Sequence, residues 1–418
     1  MREVKLGSLD IKFIDGDRGK NYPKQEDLLE KGYCLFLSAK NITSDGFQLN
    51  DLVFITEEKD NLLRKGKLED NDIIITTRGT IGNVCIYNNK IPFKNVRINS
   101  GMLIIRNESL DINTDYLYQF LKSDIFRERT RTFAFGAAVP QLPISTLVNI
   151  KINLPPLETQ KKIASILSGY DDLIENNLKR IKILEEMAQQ TYEEWFVRMR
   201  FPGHDASSAS ASVNEETSET ERSRSLPEGD ALSLPKGWEK VKLKDCCDLV
   251  MGQSPKSEFY NDEKLGLPFH QGVKDYGFRF PINTSWSTAG NKKAKPNSIL
   301  FSVRAPVGRL NVAAEEIILG RGLAAINHKK ELNSFIFYQL RKIFFEDNLI
   351  GGGAIFASVT KTDVERIELI YNEELAIKFN DFASKIDQQI LNLTNQNQRL
   401  REARDILLPR LMMGMIEV

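Results

Sequence analysis

Two arginines, Arg78 and Arg304, stand in matching phrases of this 418-residue chain, LEDNDIIITTRGTIGNV (68–84) and AKPNSILFSVRAPVGRL (294–310). They share one offset with Gly82 and Gly308, since 304 − 78 and 308 − 82 are both 226. Each arginine follows an apolar run and is followed by Gly79 or Ala305. This predicts a loop just past a strand, where a guanidinium can hold a phosphate or read the edge of a base. The same residue can instead pair an acid within a repeated structural motif, and both readings stand. Lys40, Asn41, Gln271, Lys274 and Arg279 fall in polar breaks between apolar runs. Gln141 and Ser358 follow the loops Gly136-Ala137 and Gly353-Ala354 at a shared offset of 217 (358 − 141). These residue types suit base or phosphate contacts, and as a set they are the candidate reading surface. His270 reads as a hydrogen-bonded neighbour of the Gln271 loop.

Residues for other chemistry are scarce. The three histidines, His204, His270 and His328, lie far apart, which argues against a His-based metal or acid–base site. Cys246 and Cys247 are adjacent, so with Cys34 and Cys85 they form no CxxC knuckle; four thiols without a framework fit a reducing cytoplasm. Gly19-Lys20 is followed by Asn21 and Gly66-Lys67 by Leu68, so neither is a phosphate-binding loop. Pro155-Pro156 is flanked by leucines rather than by the Asn/Asp and aromatic residue of an amino-methyltransferase loop. Gly351-Gly352-Gly353 does not follow a strand and open a helix, so it reads as a tight loop. Glu57-Glu58-Lys59 reads as a solvated charged turn. The sequence thus gives no catalytic residue, no metal site and no cofactor of its own.

A formal net charge of +0 looks wrong for binding a polyanion, but the charge is unevenly spread. Residues 1–154 hold 22 Lys+Arg against 20 Asp+Glu (+2), residues 235–374 hold 20 against 17 (+3), and residues 203–234 hold 2 against 7 (−5). That acidic, Ser/Glu-rich stretch cannot bury enough apolar surface to order itself and reads as a flexible linker. No run approaches the 18 or more apolar residues of a membrane span.

The halves on either side of the linker have one plan. Short β-branched runs come first: VFIT, DIIITT, VCIYN and MLIIR, then SILFSV, LNVAA and LAAIN. A helix follows, near 115–130 and 333–348, and each half ends in a long helix, near 157–198 and 374–413. The first long helix sets Ile163, Ile166, Tyr170, Ile174, Asn177, Ile181, Leu184, Ala188, Thr191 and Trp195 on one stripe, and the second sets Phe379, Phe382, Ile386, Ile390, Leu393, Asn397, Leu400, Arg404, Leu407 and Leu411 there, at three- and four-residue steps. The stripes coincide at an offset of 216, as 379 − 163 and 411 − 195 illustrate. Such equal seams suit two helices packed on each other. In an antiparallel pair, contacting residues have a constant index sum. If the mid-helix asparagines meet, 177 + 397 = 574, and 181 + 393 gives the same sum. That register places Ile163 on Leu411, Tyr170 on Arg404, Leu184 on Ile390 and Trp195 on Phe379.

The phrases LPPLETQKKIASIL (154–167), MAQQTYEEWFVRMRFPG (187–203), LPKGWEKVKL (234–243) and LLPRLMMGMI (407–416) resemble the specificity subunits of type I restriction–modification systems. QGVKDYGFRFP (271–281) with ILFSVRAPVG (299–308) is similar to one class of target-recognition domain, and the resemblance covers nearly the whole chain. It departs at the second long helix, which lacks a Pro-Pro entry. The resemblance implies α/β (α+β) target-recognition domains at 1–154 and 235–373, spacer helices at 155–202 and 374–418 paired antiparallel with pseudo-two-fold symmetry, and a linker at 203–234. It also implies double-stranded DNA as ligand, read as a split asymmetric site, with two methyltransferase subunits and restriction subunits as partners. S-adenosylmethionine, ATP and Mg2+ would serve those partners. Two rivals stay open: the specificity component of a combined restriction–methylation enzyme cutting on both sides of its site, and a helical dimeriser that binds no nucleic acid.

Overall fold

The structure is a computed structural model describing residues 2–43, 46–49, 51–134, 141–202, 234–235, 237–346 and 358–418. Nearly all of the expected linker, Gly136-Ala137 and the Gly351–Gly353 run lie outside the described residues. The chain divides into two compact units, Met1–Asn177 with Gln396–Val418, and Leu178–Asn395.

In the first unit, strand β1 (Arg2–Lys5) leads to β2 (Ile11–Asp15), β3 (Ile73–Thr76), β4 (Val84–Ile86) and β5 (Met102–Asn107). The last four form one antiparallel sheet in the order β2-β5-β3-β4. Ile73, Ile74 and Ile75 are buried on both faces, so this stretch shows no apolar–polar alternation. Helices α1 (Thr114–Lys122) and α2 (Asp124–Ala134) stand where a single helix is expected; Ser123 separates them. Asn113 caps α1 by accepting from Tyr116 N–H at 3.0 Å. Strand β6 (Lys151–Leu154) returns to β1, with Arg2 opposite Leu154 and Lys5 opposite Lys151, so the ends of this domain close on each other.

The second unit repeats that topology. Strand β7 (Glu239–Lys242) precedes β8 (Cys247–Met251), β9 (Ile299–Ser302), β10 (Leu310–Val312) and β11 (Leu323–His328). The sheet order is β8-β11-β9-β10, the same permutation as before. Helix α3 is the long helix Leu157–Tyr192, which runs through both units, and α4 is Asn333–Arg341. Strand β12 (Glu368–Tyr371) pairs with β7 as β6 pairs with β1. Helix α5 (Glu373–Met412) completes the chain. Asn372 does the work of the missing Pro-Pro entry: its Oδ1 accepts from Leu375 N–H at 3.0 Å. Gly414, at φ +69°, ends the helix, with Met415 N–H bonded to Arg410 O and Gly414 N–H to Leu411 O.

The helix register agrees with the expected sum. Asn177 Nδ2 donates to Asn397 Oδ1 at 2.9 Å, and Asn397 Nδ2 donates to Ile174 O at 3.4 Å. Ile163 shares one buried cluster with Leu411. Ile181 lies in another with Ile390 and Leu393, against which Leu184 packs. The rings of Trp195 and Phe379 meet edge to face at 6.0 Å. Arg404 is held by Asp171 at 2.7 Å, one residue on from half-buried Tyr170. Asn177→Leu is expected to cost about 1–3 kcal/mol, because Asn397 loses its amide partner in a dry seam. Asn177→Leu/Asn397→Leu should recover much of that while loosening the register. Urea denaturation of the two variants checks this, and equal stabilities would contradict it.

Candidate nucleic-acid interface

The sequence-predicted residues separate by burial. Arg78, Arg304, Lys40, Gln141, Gln271, Lys274 and Ser358 are exposed. Among the described residues, no acid pairs with the guanidinium of Arg78 or Arg304, so neither has the partner that a structural arginine would need. Both follow an inner strand of their four-stranded sheet, after β3 and β9. Arg304 forms an isolated antiparallel bridge with Ser358, which joins two of the candidates.

Asn41 and Arg279 are corrections. Asn41 is buried; its Oδ1 accepts from Ser38 N–H and its Nδ2 donates to Gln48 O, so the side chain closes a local turn. Arg279 is 2% exposed. Its guanidinium pairs with Asp387, stands 3.7 Å from Glu185 and stacks at 3.4 Å over the Phe337 ring. Arg341 Nη1 also reaches Glu185, at 3.1 Å. Burial works against the charge on Arg279, and Asp387, Tyr338 and Glu185 outweigh it, raising its pKa. Burial pushes the Glu185 carboxyl up despite both arginines. This network is internal, and no reading surface includes it.

Its counterpart in the first unit centres on Asp171, which matches Asp387 at the helical offset (387 − 171 = 216). Asp171 accepts from Gln119 Nε2 at 2.9 Å, Lys122 Nζ at 2.8 Å and Arg404 Nη1 at 2.7 Å. Burial opposes its ionisation, but these donors outweigh burial and lower its pKa. Each long-helix acid thus fastens a short domain helix, through Gln119 and Lys122 of α1 or Ser334 and Tyr338 of α4.

Sequence reasoning missed one cluster. Cys246 and Cys247 place their sulfurs 3.7 Å apart, and Cys247 lies opposite His328 in the β8–β11 register. The hydrogen bond from Cys247 pulls the Cys246 thiol down to about 5 against burial, with help from His328; the same bond and burial push Cys247 up. A stabilised thiolate can be alkylated or oxidised. Nothing in the sequence signals it, because His328 reaches the pair only through strand pairing. His270 is buried, and its Nε2 lies 2.9 Å from Asn283 Oδ1; burial lowers its pKa. Glu57-Glu58-Lys59 begins a short helix, Glu57–Leu62, capped by Thr56. Among the described residues no group of three or more His, Cys, Asp or Glu could hold a metal ion, and no helix is long and apolar enough to cross a membrane.

Two α/β domains of one topology, each with an exposed arginine past its central strand and a share of two long paired helices, define a duplicated binding module. Residues 4–186 and 235–373 match the family described as type I restriction modification DNA specificity domain, and the chain belongs to that family. A Methanocaldococcus jannaschii protein named as the MjaX type I restriction enzyme specificity subunit is 30% identical over 393 residues, covering 91% of this chain and 86% of the relative. The MjaIX type I restriction enzyme specificity subunit of the same organism is 26% identical over 394 residues, covering 88% of this chain and 84% of the relative. The crystal structure of a type I restriction–modification S subunit from M. genitalium has the same fold, with a TM-score of 0.56 at 16% identity, covering 98% of this chain and 96% of that one.

Proposed function

We propose that this chain is the DNA-reading specificity subunit of a type I restriction–modification complex and performs no chemistry itself. Each domain reads one half of a bipartite asymmetric site, and the paired helices set the spacing between the half-sites. Two methyltransferase subunits and restriction subunits do the chemistry, using S-adenosylmethionine, ATP and Mg2+. The observation that supports this best is the repeated sheet that presents Arg78 in one domain and Arg304 in the other, both exposed and without an acid partner among the described residues.

The test is to express the chain alone and with its methyltransferase partner, then map methylated adenines across the host DNA. Methylation at one split sequence, only when both proteins are present, is the expected result. Methyl transfer by the chain alone would overturn the non-catalytic reading. A partnered complex that methylates no particular sequence would favour the helical dimeriser.

A further inference from the structure

The second unit gathers two thiols and an imidazole at the start of β8. Cys246 closes a short helical turn, Leu243–Cys246, and Cys247 opens the strand, so the two side chains leave the backbone at a helix–strand junction. Their sulfurs lie 3.7 Å apart. Lys329 N–H bonds Cys246 O at 2.9 Å and ties the junction to the residue after β11. Cys247 is buried and Cys246 half-buried, which makes Cys246 the one cysteine of the four within reach of solvent. Burial pushes the Cys34 and Cys85 thiols up to about 12.

His328 is the third group. It is 4% exposed, lies opposite Cys247 in the β8–β11 register, and stacks its ring on Tyr371 at 6.0 Å. Its Nδ1 accepts from Lys330 N–H at 3.1 Å and from Leu332 N–H at 3.4 Å. Both bonds use the Nδ1 lone pair, so the neutral ring carries its proton on Nε2. That Nε2–H is buried and has no acceptor among the described residues. A buried donor without an acceptor costs stability, and His328 is close enough to Cys246 to favour a thiolate there. The Leu243 carbonyl, 3.7 Å from the Cys246 sulfur, favours the thiol instead. The donors prevail: the Cys247 bond, then His328, hold Cys246 down at about 5 against burial. Of the other titratable groups here, Lys329 and Asp248 act on Cys247 in opposite directions, and Tyr371 stays a neutral phenol, raised to about 12 mainly by burial.

We propose that Cys246 is a site of reversible S-thiolation by a low-molecular-weight disulfide, with Cys247 and His328 as the groups that hold its sulfur ready for attack. The Cys246 thiolate attacks one sulfur of the small disulfide. That S–S bond breaks, a mixed disulfide forms at Cys246, and the other half leaves as a thiolate that takes a proton from water. Cys246 is oxidised and the released thiol is the reduced product, so no further oxidant enters. A thiol of low pKa is also a good leaving group, so an excess of small thiol reverses the step. Cys247 does not go on to close a disulfide with Cys246, because its bond to Cys246 and its burial hold it protonated.

The test treats the whole folded chain with oxidised glutathione at neutral pH, then reads its intact mass and a peptide map. One glutathione per chain, on Cys246 and released by excess reduced glutathione, is the expected result. Cys246→Ser should take up none. Alkylation of Cys246 by iodoacetamide should have its pH midpoint at about 5 in the wild type. In Cys247→Ala that midpoint should climb toward the ordinary thiol value of about 8.5. First uptake on Cys34, Cys85 or Cys247, or uptake only after denaturation, would overturn the proposal. So would oxidation that links Cys246 to Cys247 with no added mass, or one alkylation midpoint shared by both proteins. The wild-type map locates the site whether or not a variant folds, and none of these measurements depends on the DNA-reading function.

Discussion

Arg279→Met is expected to lower the melting temperature of the second unit by roughly 6–20 °C. The variant leaves Asp387 and Glu185 facing each other's surroundings without the cation between them, and breaking a buried pair costs about 3–5 kcal/mol. In a unit of this size, about 1 kcal/mol moves the midpoint by about 2–4 °C. Asp387 keeps hydrogen bonds from Ser334 at 2.6 Å and Tyr338 at 3.1 Å, and Glu185 keeps Arg341, so the effect falls short of total unfolding. Arg279→Lys should rescue only in part, since a lysine carries charge but loses the flat stack on Phe337. Arg279→Met/Glu185→Leu/Asp387→Leu should recover much of the loss, because no buried carboxylate is then left uncompensated. Calorimetry decides it. A midpoint within about 2 °C of wild type for Arg279→Met would mean that the network is solvated and Arg279 available at the surface.

Arg279 also shows where sequence reading stops. In QGVKDYGFRFP it stands among polar residues and resembles a loop cation, while its burial depends on Glu185 and Asp387, far away on the long helices. Asn41 misleads in the same way, since a polar side chain that closes its own turn reads like one that faces outward. Patterns within one element were legible: all seven apolar runs named as strands contain strands, and the helical seam gave the register that brings Asn177 to Asn397. Pairings between distant segments were not. Arg2–Lys5 has charged residues at both ends and no apolar alternation, and it becomes a strand only because Lys151–Leu154 lies beside it.

Exchanging residues 1–154 for the equivalent domain of a relative is expected to switch one half of the methylated sequence completely and leave the other half unchanged. The domain is suited to exchange because β1 and β6 pair along their whole length, so the exchanged segment begins and ends on one strand pair and its single junction falls at the end of β6. Its attachment to the helices is what the donor must preserve. Gln160 of α3 accepts from Asn113 N–H at 2.9 Å and donates to Asp111 O at 3.0 Å, Asp171 takes Gln119 and Lys122, and Ile163 and Leu167 share a core with Leu6, Leu117 and Leu147. A donor with an amide at position 119, a base at position 122 and apolar residues at those core sites should fold on these helices without further change. The helices themselves are untouched, so the unread gap between the half-sites should keep its length. Specific sites exceed random DNA by ~10³ or more in affinity, so the old site should lose its methylation rather than share it. Mapping methylated adenines for the parent and the exchanged chain, each with the same methyltransferase subunits, gives the answer. A change in both halves, or in the gap, would mean that the domains do not read independently and that the repeated sheets act as one surface.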